Sequence, residues 1–74
     1  AAFDLVAANI THDILARNAE ILGRCVNQGG FLVLSGILKG EQEKSMEKIF
    51  GRLGLQPVKR LARDEWAALL LQKL

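Results

Sequence analysis

Short apolar runs of strand length alternate along this chain with stripes of helical spacing, and that alternation most restricts its fold. The stretch Phe3-Asp4-Leu5-Val6-Ala7-Ala8-Asn9-Ile10 reads as a buried parallel strand. Thr11 follows as an N-cap, and Asp13 puts negative charge in the first helical turn, where the helix dipole favours it. Leu15, Ala19, Leu22 and Val26 then recur at helical spacing, with Ile14, Ile21 and Cys25 widening the face. Asn27-Gln28-Gly29-Gly30 reads as the turn that ends this helix. Phe31-Leu32-Val33-Leu34 is apolar on both faces, the pattern of a central strand covered by helices on each side. Lys39-Gly40 opens a second helix with the stripe Met46, Ile49, Phe50 and Leu53; Arg52 suits its last turn and Gly54 its stop. Leu55 to Ala62 is a strand that Pro57 either confines to a sheet edge or gives an irregular start, because proline has no N–H for the ladder. Arg63-Asp64-Glu65 is a charged turn, and Trp66-Ala67-Ala68-Leu69-Leu70-Leu71 an interior strand. Its Ala and Leu content also suits a helix, but the short turn after a strand favours a hairpin.

The predicted order is therefore β-α-β-α-β-β, an α/β fold. Right-handed crossovers make the first three strands parallel, and the closing hairpin leaves the last one antiparallel.

Size and composition bear on how this sheet is covered. Seventy-four residues make at most one small domain, yet 50% are hydrophobic and only 24% charged. Ordering costs about 1.5 kcal/mol per residue against burial at about 25 cal/mol per Å², a balance that comes out near zero for small scaffolds. The apolar excess points to surfaces that face a preceding half-domain or a second copy, so self-association of this chain is expected. The net charge of +2 is mild, and Lys59, Arg60 and Arg63 are interspersed with Asp64 and Glu65. A one-sided basic stripe with stacking aromatics is not visible, which argues against direct nucleic-acid binding. Cys25 is alone and, with one His in the chain, makes neither a disulfide nor a zinc site; it reads as a small buried hydrophobe. Asp4 and Asn9 interrupt the first apolar run, so it does not match a signal peptide, and no run approaches a membrane span. A cytoplasmic protein is expected.

Asn9 is the principal candidate for chemistry. Open α/β sheets bind ligands just outside the carboxyl ends of their strands, and Asn9 brings an amide donor and a carbonyl acceptor to that lip. Its alternative is a simple lead-in to the next helix. His12 has the side chain for proton transfer, yet a lone histidine in a first helical turn is also an ordinary solvated residue.

The whole pattern resembles the C-terminal half of a class I S-adenosylmethionine-dependent methyltransferase, a Rossmann-like sheet whose last strand inserts antiparallel between two others. Within that superfamily, "FDLVAANI", "GGFLVLSGIL" and "EWAALLL" together resemble the bacterial methyltransferase of the large-subunit ribosomal protein known as L-eleven. The resemblance implies that residues 1–74 are the C-terminal portion of one catalytic domain, the cofactor-binding N-terminal half lying outside them. It implies that Asn9 lies beside the acceptor nitrogen and the methyl group and positions the attacking amine. The acceptor-binding residues are then expected to be Ile10, Thr11 and His12 after it, with Ser35 and Gly36 at the tip of the middle strand. Relatives that methylate adenine or a glutamine amide follow this Asn with two prolines and an aromatic; Ile10-Thr11-His12 stands here instead. That favours an aliphatic amine, a lysine side chain or an N-terminus, on a ribosomal protein. Thr11-His12 departs from the small apolar residues of the L-eleven family. Trp66 resembles that family's Trp at the start of the last strand and is expected to pack at the end far from Asn9.

No G-x-G-x-x-G lies between a strand and a helix here, so cofactor binding by this chain alone is expected to be very weak and the chain alone inactive. Two rival readings stand beside this one. One is a methyltransferase of the same fold with another small-molecule or protein acceptor. The other is a non-catalytic module that pairs with a partner through its exposed sheet edge.

Overall fold

A computed structural model describes residues 2–74. The elements run β1 (Phe3–Asn9), α1 (His12–Arg17), α2 (Ala19–Cys25), β2 (Val26–Leu38), α3 (Glu41–Gly51), β3 (Leu55–Arg63) and β4 (Trp66–Lys73). They form one four-stranded sheet in the order β1-β2-β4-β3. β1 and β2 are parallel, and β4 lies antiparallel between β2 and β3. The β-α-β-α-β-β order and the antiparallel last strand match the expectation from sequence. β3, with Pro57, lies at the sheet edge as expected.

Both crossovers step the same way across the sheet, so a right-handed path delivers all three helices to one face. The core forms between that face and the helices. Leu32, Leu34 and Ile37 from β2, Ala67, Leu69 and Leu71 from β4, and Leu55 from β3 meet Leu15, Ala19, Met46 and Phe50. The expected stripe of the second helix is thus the buried one: Met46 and Phe50 are fully enclosed, and Ile49 and Leu53 pack at the margin.

Within residues 2–74 the helices lie on one face of the central strand β2, because both crossovers fall there; Phe31, Val33 and Ser35 line its half-buried opposite side. Three local expectations are corrected. The helix read as continuous breaks at Asn18, whose backbone leaves helical values (φ −108°, ψ 14°) while its amide donates to Ile14 O at 2.8 Å. With a single layer to pack on, the helix buries only a narrow stripe. Ile14 and Ile21 stay exposed and Cys25 is only half-buried. Asn27–Gly30 is not a free turn but an irregular start to β2. Phe3 pairs with Val26 and Leu5 with Phe31, so the intervening residues bulge out of the ladder. Asn27 Nδ2 donates to Asp4 Oδ1 across that bulge at 2.9 Å.

The helix ends are held locally. Thr11 is the N-cap of α1 without a side-chain bond, and its carbonyl accepts from Leu15 N at 2.9 Å. At α3, Glu43 Oε1 accepts from the Gly40 N–H and Gln42 Oε1 from the Leu38 N–H, tying the strand tip to the helix start. Arg60 of β3 pairs with Glu47 of α3 on the surface.

Candidate active site

The site is built where β1 and β2 end side by side. Asn9 is opposite Ser35 in the parallel ladder, so both reach the carboxyl edge of the sheet together. Strand alternation then decides which way each points. Val6 and Ala8 pack toward the helices, which sends Leu5, Ala7 and Asn9 to the opposite face with Val33 and Ser35. Asn9 is exposed, and its amide has no hydrogen-bond partner among the described residues. The amide therefore retains its donors and a carbonyl acceptor for a ligand.

Beyond Ser35 the β2–β4 pairing slips. Leu34 faces Leu69 and Ile37 faces Ala67, so β2 carries one residue more than its partner. Gly36 takes this extra turn with φ +78°, a conformation that L side chains resist. Bulges of this kind re-aim side chains beside active sites.

Because β4 runs antiparallel, it begins where β2 ends: Trp66 pairs with Leu38. This corrects the sequence expectation for Trp66, which lies at the same edge as Asn9 and is 49% exposed rather than packed at the far end. Together with Ser35, Gly36, Leu61, Arg63 and Ala68 it lines an open cavity of about 360 Å³, within the size range of small-ligand pockets. Sequence reasoning missed Arg63, Leu61 and Ala68 here. The signal was available in the antiparallel assignment of the last strand, which obliges its first residue to join the tips of its parallel neighbours.

The remaining expected site residues divide. Ile10 stays exposed directly after Asn9, and its carbonyl lies 3.9 Å from where a Gly36 Cβ would stand. Thr11 is exposed at the start of α1. His12 goes elsewhere: its Nε2 is 3.0 Å from Ser45 Oγ on α3 in a partly buried contact. That contact links α1 to α3, and the other ring nitrogen, Nδ1, is 3.5 Å from Asp13 Oδ1. No sequence signal marked Ser45 as the partner of His12.

The chain as a whole is similar to known proteins. The model of the ribosomal protein L11 methyltransferase (PrmA) family matches residues 1–74, the whole chain. The chain belongs to the ribosomal protein L11 methyltransferase family. A relative of that name from Desulfotalea psychrophila is 44% identical over 71 residues, 96% of this chain and 24% of the relative. Another from Geobacter sulfurreducens is 44% identical over 68 residues, 92% of this chain and 22% of the relative. The crystal structure of a ribosomal protein L11 methylase from Lactobacillus delbrueckii subsp. bulgaricus superposes with a TM-score of 0.87 at 27% identity. It covers 99% of this chain and 38% of that one. The chain thus spans about a quarter of the length of the curated relatives it matches. No helix in it is long and apolar enough to cross a membrane among the described residues.

The strand-to-helix junction after β1 is Asn9-Ile10-Thr11-His12, without the glycines that let a backbone approach a nucleotide cofactor closely. What comes together at this edge is an unpaired amide, an apolar cavity lined in part by an arginine, and an indole.

Proposed function

We propose that residues 1–74 form the C-terminal, acceptor-side part of the catalytic domain of a protein N-methyltransferase acting on amino groups of ribosomal protein L11. The observation that carries this reading is the exposed, unpartnered Asn9 amide at the carboxyl edge of a sheet belonging to this family. S-adenosylmethionine supplies the methyl group when bound, and the residues that hold it lie outside this stretch. Asn9 Oδ1 accepts a hydrogen bond from the acceptor amine and so fixes the direction of the nitrogen lone pair. Fixing a reactant in this way removes orientational freedom that otherwise adds to the barrier. Asn9 takes no proton, because an amide does not titrate in this range. The amine therefore arrives neutral, having lost its proton to water. Ser35 and Gly36 form the near wall of the acceptor site with Ile10 and Thr11 beside Asn9, while Trp66 and Ala68 give the amine's alkyl stem an apolar surface. His12 contributes by holding α1 to α3, so that Asn9 is presented from a fixed helix start. Such an enzyme works in the cytoplasm, where ribosomal proteins are made.

The full-length protein, given S-adenosylmethionine and purified ribosomal protein L11, is expected to add whole methyl increments detectable by intact-mass spectrometry. Modification of unrelated amines at equal rates, with L11 untouched, would replace this acceptor by another.

The open face has its own expected outcome. Phe3 and Leu5 on edge strand β1 and Leu61 on edge strand β3 are more than half exposed. Uncovered faces and edges of this kind associate. Residues 1–74 alone should sediment as dimers or larger species, and Leu5→Lys with Leu61→Lys should shift them toward monomer. A monomer at all concentrations contradicts this.

A further inference from the structure

An ideal Cβ built on Gly36 would stand 2.5 Å from Asn9 Oδ1, a separation no real side chain sustains, and 3.8 Å from Asn9 Cγ. Outside Gly36 and its two chain neighbours, the next described atom is the Ile10 carbonyl oxygen at 3.9 Å. The gap at Gly36 is thus occupied by one group, the Asn9 amide. Ordinary contact would require that oxygen to retreat by about an ångström, and misplacement on that scale costs about 100-fold in rate. In glycine only a hydrogen stands in that direction, which leaves the amide oxygen its place and its lone pairs open.

We propose that Gly36 is a positioning residue for Asn9: its missing side chain is the seat that holds the amide at the sheet lip. The proposal rests on the reading of Asn9 as the group that orients the acceptor, and it gives Gly36 a role distinct from touching the acceptor itself. The β2 bulge supports it. The extra residue of β2 falls in the stretch that holds Gly36, whose φ of +78° L side chains rarely adopt and whose Cβ direction leads to the Asn9 amide.

The test is a double-substitution cycle in the full-length protein. Gly36→Ala is expected to lower kcat about 100-fold while cofactor KM stays within about twofold. In an Asn9→Ala background the oxygen is gone, and the same substitution should change the residual kcat by less than about threefold. Backbone strain at φ +78° is common to both backgrounds and cancels. If alanine prevents folding, Gly36→Asn carries the cycle, since asparagine tolerates positive φ. A spectroscopic readout needs no activity. In ¹⁵N-labelled protein the Asn9 side-chain amide signals should move on Gly36→Ala, while those of Asn18 and Asn27 stay in place. Equal loss of kcat in the two backgrounds, or an unmoved Asn9 signal, overturns the proposal. Should Asn9→Ala alone leave turnover intact, the catalytic reading of Asn9 fails, and the amide signals still decide the seating.

Discussion

Asn9→Ala in the full-length protein should lower kcat for amine methylation by about 100-fold or more while leaving cofactor affinity within about twofold. The size follows from what is removed. The amide is exposed, has no hydrogen-bond partner among the described residues, and stands where two parallel strands end. Its loss costs the fold almost nothing, since no internal bond is broken. On the role proposed for Asn9 the effect falls on the step in which a free amine is aimed, and kcat is the parameter that reports it. Asn9→Gln, one methylene longer, carries the same groups but not the same reach against Gly36, and it should recover little. Turnover equal to that of the unsubstituted protein, measured by methyl incorporation at saturating cofactor, would remove Asn9 from the reaction.

Phe50→Ala should produce the largest loss of stability, on the order of 3–5 kcal/mol, read as a fall in the urea midpoint. Phe50 is fully enclosed where α3 crosses the sheet, in the cluster that also holds Met46, Leu55 and Leu69. A unit of this size has a total stability of only about 4–11 kcal/mol, so the substitution approaches or exceeds half of it. Val58→Ala, on an exposed edge position, serves as the contrast and should stay within about 0.5 kcal/mol. Similar midpoint shifts for the two would mean that the helical layer does not pack as described.

The strand and helix order was legible in the sequence because each segment carries its own period. The Met46–Phe50 stripe and the Pro57 edge decide their elements locally, and the short charged turn before Trp66 decides for a strand there. Strand direction followed from crossover handedness, and the place of the last strand between two others from the family resemblance. What stayed illegible depends on layers. Phe31 and Val33 look like residues covered on both sides, and the helical connections of this stretch cover only one of those sides. Ile14 and Ile21 fit the helical period but lie outside the narrow stripe that one layer can bury. In the site, Asn9, Ser35 and Gly36 were found together because they share a sheet edge. Trp66 was misplaced although its strand direction was correct: the direction was known and its consequence for the strand's first residue was not drawn. The Gly36 seat needs the coordinates of a neighbour's amide oxygen, and the His12–Ser45 bond links residues with no pattern between them.

The position of β4 also orders events in time. A polypeptide emerging from its N-terminus makes β3 before β4, yet β3 finds no partner in this sheet until β4 slides in beside it. The sheet thus stays split through most of synthesis, and contacts distant in sequence close it late. Trp66 and the cavity wall arrive with that final wedge, so the pocket beside Asn9 is finished only when the whole segment has been released.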